Sequence, residues 1–161
     1  MRGKTVLAFA VACVVAAVVL AEGADKKKSS GKTSGSQPMA VPAADIKWVD
    51  LDPQGAPGVK IADMWGDHTK GAFGAFVKFP AGFTTPMHTH TNAFKIVILS
   101  GTFVQTREGK PEIRLGPGSY LSQPGGSYKH TTACDKGADC VFFTQASGAF
   151  DLKPVEAAPA K

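Results

Sequence analysis

From residue 45 onward the chain is written in short runs of β-branched and aromatic residues, each cut off by glycine, proline or small polar residues. "IKWVDL" stops at "DPQGAPG", "VKIADMW" at "GDHTKG" and "AFGAFVKF" at "PAG". "FKIVILS" then meets Gly101, "TFVQT" meets "REGKP", "EIRL" meets "GPG", "SYLSQ" meets "PGG" and "CVFFTQ" meets "ASG". Runs of this length suit strands, and their spacing predicts about ten of them, an all-β sandwich or barrel. In "AFVKF", Ala75, Val77 and Phe79 alternate with Phe76 and Lys78, as a strand with one buried face requires. No convincing amphipathic helix and no internal repeat competes with this reading. The 161 residues are about one domain's worth, and the 18 glycines and 11 prolines supply the turns.

Ahead of the strands the sequence reads as an export signal. "MRGK" is a basic start, "TVLAFAVACVVAAVVL" an uncharged apolar run, and "AEGAD" a small-residue stretch fit for cleavage. Val19 and Ala21 place the cut after Ala21, with Gly23 or Ala24 as alternatives; an uncleaved anchor is the rival reading, because the run approaches spanning length. Cleavage removes Arg2 and Lys4, two of the five net positive charges. Most of the rest sits in "DKKKSSGKTSGSQP", part of a Lys/Ser/Gly-rich tether over residues 22–44 that cannot build a core. Opposite charges balance from Asp45 to Glu156, so the basic character belongs to the tether and gives no reason to expect nucleic acid as a partner. The expected organisation is a signal peptide over 1–21, the tether, a barrel over 45–152 and a fraying tail over 153–161. The mature protein is then periplasmic or secreted, with no membrane segment once the signal has gone.

Export changes how the cysteines read. Cys134 and Cys140 bracket the turn-like "DKGAD" and are the only two left after cleavage. In an oxidising compartment the expectation is a disulfide across a hairpin loop, since this spacing is not a standard metal or redox one.

The four histidines carry the chemistry. His88 and His90, in "PMHTHTNAF", stand one residue apart, and strand alternation points both imidazoles to the same side. His130 follows in "PGGSYKHTTAC", and His68 in "WGDHTKG" is a less favoured fourth candidate. Neutral imidazoles suit divalent transition metals, and three of them leave positions open for water or a small molecule.

The punctuation around these histidines resembles the two signature motifs of the cupin superfamily. Gly82, His88, His90 and Gly101 match the first, Gly-x5-His-x-His-x3,4-Glu-x6-Gly, with Phe94 in the glutamate's place. Gly118, Pro124, Gly126 and His130 match the second, Gly-x5-Pro-x-Gly-x2-His-x3-Asn, with one extra residue before the histidine and Cys134 in place of the asparagine. More narrowly, the stretch from Met64 to Phe103 is similar to small exported bacterial cupins of unassigned function, and to the zinc-binding cupin domain of a bacterial anti-sigma factor. The resemblance implies a single cupin barrel, a double-stranded β-helix or jelly roll. It also implies a metal site at His88, His90 and His130 for Zn, Fe, Ni, Mn or Cu. The missing carboxylate leaves three alternatives: a three-histidine site, a shell completed by an oxygen donor such as Gln105 or Tyr120, or a barrel in which Phe94 fills the space. Alternation from Phe94 puts Lys95 on the outside.

Two kinds of function follow. One is a metal-assisted enzyme on a small molecule, an oxygenase of the non-haem iron type or another Lewis-acid reaction. The other is a metal-free barrel that binds a small apolar or aromatic ligand among Phe76, Phe79, Phe94, Phe103 and Tyr120 without catalysis. A Gly-x-Ser-x-Gly nucleophile elbow and a phosphate-binding loop are both missing from the sequence. Pairing of two copies through edge strands, with exchange of the run around Trp48, would make a homodimer.

Overall fold

The computed structural model describes residues 38–155, so the expected export signal and most of the tether lie outside the described residues. Among these residues, eleven strands follow one 3-10 turn at Ala43–Asp45. They are β1 (Val49–Asp50), β2 (Lys60–Gly66), β3 (Phe73–Phe79), β4 (His88–Thr89), β5 (Phe94–Ser100) and β6 (Phe103–Arg107). After them come β7 (Glu112–Leu115), β8 (Tyr120–Gln123), β9 (His130–Cys134), β10 (Cys140–Ala146) and β11 (Lys153–Pro154). All pairings are antiparallel. They build a six-stranded sheet in the order β1-β2-β3-β10-β5-β8 and a five-stranded sheet in the order β11-β4-β9-β6-β7. After β1–β3 in the larger sheet, the chain crosses repeatedly between the two sheets, with β6 and β7 as a hairpin in the smaller one, which is the jelly-roll arrangement expected from the sequence.

Side-chain alternation decides what faces inward. Along β10, Cys140, Phe142, Thr144 and Ala146 are buried while Val141, Phe143 and Gln145 are only partly so. Along β5, Phe94, Ile96 and Ile98 are buried and Lys95 is exposed, as alternation from Phe94 requires. Phe73, Phe103, Ile61 and Ile98 are almost fully withdrawn from solvent, and Phe142 meets both Phe79 and Phe103 edge-on at 5.1 Å. The inner faces of both sheets thus form one apolar core.

Turns set the strand entries. Gly101 has φ 74°, and a Cβ there would lie 2.6 Å from the Asp139 carbonyl oxygen, so the β5–β6 turn is closed to any other residue. Gly126, at φ 76°, donates its amide hydrogen to the His90 carbonyl at 2.8 Å and ties the loop before β9 to the histidine pair.

Three sequence expectations need correction. Cys134 and Cys140 do form a disulfide, but not across a hairpin within one sheet. Cys134 ends β9 in the smaller sheet and Cys140 starts β10 in the larger, so the bond links the two sheets at a corner. The expected fraying tail over 153–161 begins with a strand, since Lys153 and Pro154 pair with Thr89 and His88 and Val155 donates its amide to the Met87 carbonyl at 2.8 Å, while residues 156–161 lie outside the described residues. Pairing is tolerated there because β11 is an edge strand, where proline's missing donor faces no neighbour. Finally, Phe76 and Tyr120 leave the expected aromatic pocket. Phe76 lies on the outward side of β3 against Phe143, and Tyr120, 59% exposed, pairs with the outward Val97.

Candidate metal centre

His88 stands directly opposite His130 across the β4–β9 pairing, and His90 lies two residues past His88 on the same face. Segments forty residues apart are therefore brought to one point by a single register. All three side chains are buried, and one nitrogen from each lies within 4.8 Å of the others.

The hydrogen bonds fix which nitrogens meet. His88 Nδ1 lies 2.8 Å from the Pro86 carbonyl oxygen, His90 Nδ1 bonds the Asp151 carbonyl, and His130 Nδ1 lies 3.1 Å from the Tyr128 carbonyl. A carbonyl can only accept, so each Nδ1 carries the hydrogen and each neutral ring presents its Nε2 lone pair. His88 Nε2 and His90 Nε2 are 3.2 Å apart, and His130 Nε2 is buried with no hydrogen-bond partner among the described residues. Two nitrogens bound to one ion at about 2.0–2.1 Å, with angles from square to tetrahedral, are separated by about 2.9–3.4 Å. The donor set fits a divalent transition metal.

Burial keeps the rings in the form that binds. It pushes the imidazoles of His88 and His90 below the ordinary histidine value and takes His130 down to about 4, with the neighbouring His88 adding to the effect. Removal of the charged form from an apolar cavity is the cause in each case.

Phe94 stands beside this group, its ring 4.7 Å from that of His90 and in edge contact with Phe73. It supplies packing where the resemblance placed a carboxylate. Gln105, one of the alternatives for an added oxygen donor, points inward but is engaged elsewhere. Its Nε2 donates to Gln123 Oε1 at 2.5 Å, and Tyr128 donates its hydroxyl hydrogen to Gln105 Oε1 at 3.3 Å. Tyr120 faces solvent and cannot reach the site. His68 belongs to a different group, with its Nδ1 2.8 Å from an Asp63 carboxylate oxygen and Asp67 nearby.

Sequence reasoning missed Asp151, sixty-one residues from His90. Its carboxylate accepts the Thr91 amide hydrogen at 2.8 Å and the Thr91 hydroxyl hydrogen, and holds Lys153 at 3.2 Å. This clamp holds the Asp151 carbonyl on His90 Nδ1. It escaped notice because the contact is made by backbone, which no residue pattern marks. Gln123, Thr132 and Thr144 were missed as cavity residues too; with Thr85, His88 and His90, they put polar groups on mostly apolar walls.

A family model described as "Domain of unknown function (DUF4437)" matches residues 36–161. Among curated proteins no sequence matches. Solved structures share the architecture. The polyketide cyclase RemF from Streptomyces resistomycificus is 19% identical, with 76% of this chain and 89% of that one covered and a TM-score of 0.62. An RmlC-like cupin from Shewanella frigidimarina is 16% identical over 70% of this chain and 93% of that one, with a TM-score of 0.54. The DMSP lyase DddQ from Ruegeria pomeroyi is 25% identical over 71% of this chain and 60% of that one, with a TM-score of 0.53. What this chain shares with these proteins is the cupin fold.

Proposed function

Because the chain belongs to the DUF4437 family and has the cupin fold, we propose that it is an exported metal-binding protein whose three-histidine centre acts on a small molecule inside the barrel. One observation carries this reading: three buried imidazoles, each with Nδ1 tied to a backbone carbonyl, keep their Nε2 lone pairs free, and one nitrogen from each lies within 4.8 Å of the others. Lone pairs held that close in an apolar cavity repel unless a cation lies among them.

His88, His90 and His130 would hold the ion, and when bound it supplies a Lewis acid that polarises a ligand oxygen or lowers the pKa of water. The protein's own groups orient and exclude. Pro86, Asp151 and Tyr128 fix the three rings through their carbonyls, and Phe94 and Phe150 pack on His90 to keep bulk water away. Relatives in fold include proteins named as a cyclase and a lyase, which supports an enzyme and leaves the reaction to be found. The disulfide linking the sheets supports an oxidising compartment, in keeping with the leader-like first 21 residues. Among the described residues no helix is long and apolar enough to cross a membrane.

Metal analysis of protein purified without chelator tests the reading. One transition-metal ion per chain, lost in a His88→Ala/His130→Ala double variant that still folds, is the expected result. Metal-free protein whose melting is unchanged by added Zn²⁺, Fe²⁺ or Ni²⁺ would point instead to a metal-free binding barrel.

A further inference from the structure

Beside the histidines lies a chamber of about 90 Å³, lined by His88 and His90 and by apolar residues that include Phe73, Ile96 and Phe142. Among the described residues that line it, none is Asp, Glu, Lys or Arg. Its polar side chains include Gln123 and Thr144. The Thr144 hydroxyl, on a residue 4% exposed, has no hydrogen-bond partner among the described residues. A buried hydroxyl left without a partner is a site at which a ligand can supply one.

Charge and size restrict that ligand. Three neutral imidazoles bring no charge, and Phe94 stands where a carboxylate would have contributed one. A divalent ion here retains both positive charges in surroundings that solvate them poorly, so an anion is favoured as its remaining ligand. A second negative charge on that anion would meet no cationic side chain in the wall. An apolar cavity of about 150 Å³ accepts benzene, so by proportion 90 Å³ admits a body of about four non-hydrogen atoms.

Resting on the metal site proposed above, we propose that this chamber selects short monocarboxylates with a small aliphatic body that carries one uncharged hydroxyl or carbonyl. The carboxylate meets the metal, the body lies against Phe73, Ile96 and Phe142, and the uncharged oxygen pairs with the Thr144 hydroxyl. Dicarboxylates, phosphate esters and aromatic acids are rejected by charge or by size.

The test uses the full-length chain loaded with Co²⁺, whose visible absorption reports on its ligands. Titration with 3-hydroxybutanoate is expected to shift the spectrum saturably. Butanoate should bind several-fold more weakly, and succinate and benzoate at least tenfold more weakly. Thr144→Val, nearly the same size, should reduce the affinity for 3-hydroxybutanoate to that for butanoate. Phe94→Glu should still bind cobalt but lose at least tenfold in carboxylate affinity; if it fails to fold, the ranking on the unaltered chain decides. Succinate or benzoate binding as tightly as 3-hydroxybutanoate overturns the proposal, as does an unmoved spectrum in protein holding one cobalt per chain. A preference that survives Thr144→Val overturns the role given to that hydroxyl. Failure of cobalt to bind at all is a separate result, which removes the metal site itself.

Discussion

His88 Nε2 and His90 Nε2 lie 3.2 Å apart, although each ring's hydrogen is already donated from Nδ1, to Pro86 and to Asp151. Neither nitrogen has a proton for the other, so the contact is not a hydrogen bond between neutral rings. Protonating one ring would supply a donor, but burial opposes that by lowering the pKa of both. A shared divalent cation would remove the repulsion and give the buried His130 Nε2 a partner as well.

Protons and metal compete for the same lone pairs, which gives a pH signature. An unfolded histidine takes its proton near pH 6.5, whereas His130 in the fold takes it only near 4. Between those values the unfolded chain binds more protons. The contribution to stability is therefore complete above about pH 6.5 and is lost as pH falls towards about 4. Melting temperatures of chelator-treated protein should decline progressively across that window. A flat profile there contradicts the burial of neutral imidazoles.

Asp151 should matter through position alone. Its side chain does not touch the Nε2 cluster, yet Asp151→Ala frees the segment that presents its carbonyl to His90. Loss of such an orienting contact typically weakens metal binding about 10–100-fold. Competition for Zn²⁺ against a chromophoric chelator should show that loss with little change in the far-ultraviolet spectrum. Unchanged affinity would mean that His90 is held without this clamp.

Gln105 separates a structural role from a ligating one. Gln105→Leu leaves Gln123 and Tyr128 without their partner inside the barrel, a loss of about 1–3 kcal/mol for an unsatisfied buried group. Urea unfolding should report that loss, while the metal content per chain stays unchanged. A drop in metal content would return Gln105 to the coordination shell.

The disulfide closes a short loop, with six positions separating its cysteines, so its effect on the unfolded chain is modest. Cys134→Ser/Cys140→Ser should lower stability by about 2 kcal/mol in denaturant titration, provided the native chain is kept oxidised. Identical unfolding curves for the oxidised protein and the double variant would contradict this.

Much of this architecture is written locally. The alternation in "AFVKF" and "FKIVILS" gives β3 and β5 their buried faces, and the glycine and proline punctuation marks the turns. His88, His90 and His130 could be singled out because spacing along one strand and the punctuation around the motifs are sequence properties. What could not be seen is set by pairing between distant segments. The register that places His88 opposite His130, the docking of Lys153–Pro154 on β4 and the Asp151 carbonyl on His90 are all of this kind. Tyr120 departs from the expected pocket because β8 turns its ring to solvent beside Val97, while Gln123 at the strand's other end is buried. Period-two alternation says that residues share a face but not which face is the inner one.

The most direct test of the central claim is X-ray absorption at the metal edge of the zinc-loaded chain. The outer-shell scattering of imidazole rings should fit three histidines in the unaltered protein and two in His130→Ala. A spectrum fitted by oxygen ligands alone, or one unchanged by His130→Ala, would show that these histidines do not share an ion.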